Sequence, residues 1–158
     1  TGGLSALSRR LGLTPAQSMQ VAEAFLPYMV SGYGRVFRRV GSDAFVYQLG
    51  RLGGEEMAQT VLISDVIEPA AGEAALTLAF GSAALVDGVE AALRKAVNVE
   101  PGQYREAMRI LAMLFGGYLA SRAERHELGV PDGIGPLLER SPARDPLKAV
   151  EAELGHEE

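Results

Sequence analysis

Cysteine and tryptophan are absent from the 158 residues, lysine occurs only at Lys95 and Lys148, and histidine only at His126 and His156. Without thiols there is no disulfide, no thiolate nucleophile and no zinc site built on cysteine. A net charge of −5 equips the chain poorly for duplex DNA, whose phosphate affinity rests on accumulated Lys and Arg. Long hydrophobic runs are missing too. The longest, Ala74 to Val86 and Ala107 to Ala120, fall short of the ~20 residues a membrane span needs, and read as buried helices. What is abundant is ordinary apolar material: 47% hydrophobic against 22% charged residues suits one globular core and disfavours disorder. Beginning at Thr1, the sequence reads as trimmed or processed. A cytoplasmic setting is expected, although zero cysteine fits a periplasmic one as well.

Apolar residues recur every three or four positions and no stretch alternates as a strand would, so the expected fold is an all-α multi-helical array. A short helix is expected over Ser5 to Leu11, stopped by Gly12. Thr14, Pro15 and Gln17 then form a T-P-x-Q helix start, a capping box with proline at the first helical position. From there Met19, Ala22, Leu26, Met29, Tyr33, Val36 and Val40 build one apolar stripe, with a kink or break expected at Pro27. Ser42 and Asp43 are expected to cap a short helix through Leu49. Glu55 to Ile67, although rich in β-branched residues, reads as helix. Pro69 opens a helix ending at Phe80 before Gly81, and Ser82 caps another to Val97. Asn98 to Pro101 makes a turn, and Pro101 starts the most buried helix, apolar all round from Ile110 to Phe115. The main domain is expected over residues 1–128. Residues 129–158, with the loop "GVPDGIGP" and a last helix from Asp145 or Pro146 to Leu154, are expected as an appendage.

The groups that carry chemistry are sparse. His126 lies between Glu124 and Glu127 near a helix end, where a cation suits the dipole, and His156 sits in an acidic tail; neither has a metal-ligand set around it. Asp65 and Glu68, three apart, share a helix face as an acid/base pair would, but read as a solvated acidic face. H-E-x-x-H, Walker A and G-x-G-x-x-G patterns are missing, and Gly32-x-Gly34 has Phe37 where a third glycine belongs. No catalytic residue, metal or cofactor is expected, and the chain does not read as an enzyme. Charge, by contrast, is segregated. Residues 1–54 hold six arginines against two acids, residues 55–100 hold eight acids against two bases, and residues 101–158 carry a net −3. Arg35, Arg38 and Arg39, with Tyr33, are the expected docking surface, joined by Arg9 and Arg10. This basic third is expected to meet the acidic one, through Glu55, Glu56, Asp65 and Glu68, within a subunit or across a homo-oligomer contact.

One layout occurs twice. "LSRRLGLTPAQSMQVAEAFLPYMVSGY" and "LRKAVNVEPGQYREAMRILAMLFGGY" both run from a helix with a basic end through a proline turn to a long apolar helix. Both have Gln two residues after Pro, and both close on small residues before Tyr33 or Tyr118. The pseudo-repeat is expected over about residues 4–40 and 82–128. Its pieces "LTLAFGS", "VEAALRKAV", "NVEPGQ" and "MRILAMLFGGYL", with "LGLTPAQ" and "FLPYMVSG" in the front half, resemble the bacterial YidB-like family over roughly residues 4–128. The second turn departs from that family's pattern, with Asn98-Val99-Glu100 where Gly-Leu-Ser is usual. The resemblance implies an all-helical array and brings no established activity. The expected function is a non-enzymatic helical protein-interaction or self-assembly domain with a protein partner or a second copy of itself. A nucleic-acid-binding module or a carrier of a small apolar ligand is the alternative.

Overall fold

A computed structural model describes residues 2–63, 69–124 and 146–156. They form helices α1 (Gly2–Leu11), α2 (Pro15–Val40), α3 (Ser42–Arg51), α4 (Glu56–Ile63), α5 (Pro69–Phe80), α6 (Ala83–Ala96), α7 (Gln103–Glu124) and α8 (Pro146–His156). Among the described residues there is no strand, so the all-α reading holds. The local signals act as their chemistry requires. The Thr14 hydroxyl accepts from the Gln17 amide at 3.1 Å, while the Gln17 side chain accepts from the Thr14 amide at 3.0 Å. The Ser82 hydroxyl accepts from the Leu85 amide at 3.2 Å, just after Gly81 with φ of 88° turns the chain. There α5 and α6 meet at 97°.

Helix α7 is the axis of the molecule, packed by α1, α2, α3, α4, α5 and α6. Its buried residues Tyr104, Ala107, Met108, Ile110, Leu111, Ala112, Met113, Leu119 and Ala120 leave little of its circumference for solvent, as an all-round apolar helix demands. Close approach depends on small residues. A Cβ on Gly117 would lie 2.7 Å from the backbone nitrogen of Ala58 in α4, and one on Gly32 would lie 2.5 Å from the carbonyl oxygen of Ala79 in α5. The missing side chains are what let α7 and α2 meet their neighbours backbone to backbone.

Several expectations need correction. Helix α2 runs through Pro27 without a break. Pro27 and Glu23 are both exposed, so water can serve the Glu23 carbonyl that loses its donor. The buried face of α2 starts with Ser18, Val21, Phe25 and Met29, while Met19 and Leu26 of the expected stripe are exposed. Pro101 and Gly102 belong to the turn, and α7 begins at Gln103. The last helix is no appendage: Leu147 and Val150 of α8 are buried in the same core, against α6 and α2. Helix α4 is described to Ile63. Asp65, Glu68 and His126 lie outside the described residues.

The two proline turns face each other. In the second, the Glu100 amide donates to the Gln103 side chain at 3.1 Å, the same contact that Gln17 makes with Thr14. Gln103 then uses its Nε2 to donate to the carbonyl of Leu11 at the end of α1. One glutamine therefore caps its own turn and ties it to the other.

Candidate interaction surfaces

The expected basic docking surface divides. Tyr33 is fully buried and leaves it altogether. Its hydroxyl donates to the carbonyl of Ala112 at 3.0 Å, and its ring lies among those of Phe45 and Phe115. Burial pushes the Tyr33 phenol well above its ordinary pKa. At the level of sequence nothing distinguishes a core tyrosine from a docking tyrosine at the same point of an apolar stripe. Arg35 is half-buried and pairs with Glu151 of α8 at 2.8 Å. Arg38 and Arg39 are exposed.

Arg9 and Arg10 of the basic third reach backbone carbonyls of the acidic third, where carboxylates were the expected partners. Arg10 donates from Nε to the carbonyl of Val61 at 2.9 Å and from Nη2 to that of Thr60 at 3.3 Å. Arg9 reaches the Leu62 carbonyl at 3.4 Å. Two guanidinium groups thus serve the last carbonyls of α4, where helix ends favour cations. The carboxylates of the acidic third are gathered by α7. Arg105 binds Glu90 at 2.7 Å and Glu73 at 3.2 Å and also contacts Asp87, and Arg109 binds Glu73 at 2.9 Å. Arg94 holds the other oxygen of Glu90 at 2.9 Å while lying 4.9 Å over the Tyr104 ring. Burial tends to raise the pKa of Glu90, but the bonds from Arg105 and Arg94 outweigh it and hold the carboxyl below its usual value. For Arg105, burial is likewise outweighed by Glu90 and Glu73, which keep it above its ordinary value. The network ties α5 and α6 to α7. Among the described residues no group of three or more His, Asp or Glu side chains is placed to hold a metal.

An apolar groove of about 400 Å³ lies between α1, α2 and α7. Leu4 of α1, Met19, Ala22, Leu26 and Met29 of α2, and Leu111, Leu114, Phe115 and Tyr118 of α7 line it, with Glu23 as its charged member. The rings of Phe115 and Tyr118 stack at 6.4 Å. Sequence periodicity did find the Met19–Ala22–Leu26–Met29 stripe. It failed to show that in the first half of α2 Val21 and Phe25 take the core and leave Met19 and Leu26 facing outward, while Met29, Tyr33 and Val36 of the expected stripe are buried. No family model, curated protein or solved structure matches the chain. The resemblance to the YidB-like family thus rests on the sequence pieces alone. Among the described residues no single helix is long and apolar enough to cross a membrane.

Proposed function

We propose that the chain is a non-enzymatic helical interaction module whose groove between α1, α2 and α7 receives the apolar face of a partner helix. One observation carries the reading. Of six large exposed hydrophobic side chains among the described residues, four (Leu4, Met19, Leu26 and Tyr118) line this one groove. Scattered exposed hydrophobics need no explanation, whereas a contiguous cluster marks a surface that something covers. A groove between helices suits the i, i+3, i+4 and i+7 anchors of an amphipathic helix, and Met19 and Met29 adapt to varied partners. The charged side chains support the reading from the other side, since Arg9, Arg10, Arg35, Arg105 and Arg109 are engaged in joining helices. That engagement also weakens the nucleic-acid alternative. The YidB-like resemblance, the duplication of the proline-turn unit and a cytoplasmic setting belong to the same proposal.

Selection of helical peptides against the immobilised protein, followed by titration in solution, tests it. Peptides should bind the parent chain and lose binding to Met19→Glu and Leu26→Glu variants that keep their helicity. Peptide binding indifferent to both changes would overturn the groove assignment. A second reading, a carrier of a small apolar ligand, is favoured by the volume of about 400 Å³, which falls within the usual range for ligand pockets. Native mass spectrometry showing a co-purifying lipid-sized mass, lost in the same two variants, would favour the carrier over the helix receptor.

A further inference from the structure

Helix α3 carries a pattern unrelated to the groove. Its exposed positions are Asp43, Ala44, Tyr47, Gly50 and Arg51, one continuous face, and Tyr47 at 68% exposure stands in the middle of it. Reversed about Tyr47, this face matches itself. The small residues Ala44 and Gly50 lie three positions to either side, and a Cβ built on Gly50 meets nothing within 4 Å. Asp43 and Arg51, of opposite charge, lie four positions to either side.

We infer that α3 is a self-association surface, on which two copies of this chain pack α3 against α3, antiparallel, about a two-fold axis at Tyr47. In an antiparallel helix pair, each position before the axis faces the equivalent position after it, and a two-fold interface repeats every contact. Asp43 then faces Arg51 of the second copy, twice, and Ala44 faces Gly50, twice, which allows the helices to approach closely. The two tyrosines meet at the axis, where aromatic side chains contribute most to an interface. A parallel arrangement would instead set like charges against each other. Charge complementarity therefore selects both the partner, a second copy, and the direction.

A helix of ten residues is about 15 Å long, so the contact is at the small end of specific interfaces and association is weak. Exposed ion pairs contribute little each and are screened by salt, so salt weakens the dimer further. The inference does not rest on the groove, and each can fail without the other.

Sedimentation equilibrium over a range of protein and salt concentrations tests it. At low salt the mass should rise from monomer toward dimer with concentration, and it should fall back when salt is raised. Asp43→Arg replaces both attractive pairs by facing positive charges, one against Arg51 of each copy, and should weaken association at least about tenfold, equivalent to ~1.4 kcal/mol. The double change Asp43→Arg with Arg51→Asp restores opposite charges across the axis and should recover most of it, with helicity by circular dichroism unchanged throughout. Because the chain has no cysteine, Tyr47→Cys supplies a unique thiol that should form a disulfide dimer under mild oxidation faster than Gln20→Cys on α2. A monomer at every concentration in low salt would overturn the inference. So would a dimer that is unmoved by Asp43→Arg, or one that the double change fails to restore.

Discussion

Side chains of one or two atoms decide more in this molecule than the large ones. Gly117 and Gly32 sit inside helices, where alanine ordinarily gains up to ~1 kcal/mol over glycine. At Gly117 the added Cβ would meet both the nitrogen and the Cβ of Ala58 at 2.7 Å, and a backbone atom cannot swing aside as a flexible side chain can. Overpacking of that kind costs ~1–3 kcal/mol, so the clash wins. Gly50 is the control in dilute protein at high salt, where the chain is monomeric, because in the single chain it is helical, exposed and open. We expect Gly117→Ala and Gly32→Ala to be destabilising and Gly50→Ala to be stabilising by up to ~0.5–1 kcal/mol, read from chemical denaturation midpoints. Equal effects at all three positions would show that α7 and α4 are not in backbone contact. Tyr33 shows the same dependence on near neighbours: its hydroxyl would lie 2.9 Å from a Cβ on Gly116, so the small pair before Tyr118 makes room for the tyrosine of the other long helix. The small-residue pairs were visible in the sequence, but which partner each admits follows only from the packing of helices distant in the chain.

Some helix ends were legible from their local chemistry, whereas Pro101 lies in the turn before α7 and Gly41, with φ of 89°, stands at the cap of α3 expected for Ser42 or Asp43. The capping box at Thr14, the Gly81 stop and the Ser82 cap lie where local side-chain chemistry places them. Less legible was the phase of α2, because Met19, Ala22, Val21 and Phe25 leave two overlapping apolar stripes and only the neighbours choose between them. The ion network was not legible either, since Glu73, Asp87 and Glu90 come from two helices that meet α7 after a 97° bend. Its pH dependence is a consequence of the lowered Glu90 pKa. A carboxyl depressed by folding adds stability above its unfolded value near 4.5, and that contribution is lost as the pH falls through the lower folded value. Thermal unfolding between pH 7 and pH 3 should therefore show a steeper acid decline for the parent chain than for Arg105→Met. Arg94→Ala, which leaves the Arg105 contacts to α5 and α6 in place, should retain most of the decline. Identical acid profiles in the parent and Arg105→Met would show that the network does not couple these helices.

At the scale of the whole molecule, the sequence suggested a main bundle followed by an appendage, whereas the last helix packs into the same core. The glycine- and proline-containing stretch 129–145 separates the last helix along the sequence, so nothing local reveals where that helix goes. Leu147 is completely buried, Val150 nearly so, and Arg35 of α2 reaches Glu151. Helix α8 closes the side of the core where α2 and α6 meet. An exposed pair such as Arg35–Glu151 is worth at most ~1 kcal/mol, so the attachment rests on the apolar contacts. Leu147→Ala should destabilise by ~2–5 kcal/mol, the range for emptying a buried leucine site, while Glu151→Ala should stay within about 1 kcal/mol. Ending the chain at residue 128 should go further, exposing the α2 and α6 surfaces that α8 covers and broadening or abolishing the cooperative unfolding transition. A truncated chain that unfolds as sharply and at the same temperature as the full one would restore the end to the status of an appendage. That result would also confine the core to α1 through α7, the part within which the groove and the α3 face both lie.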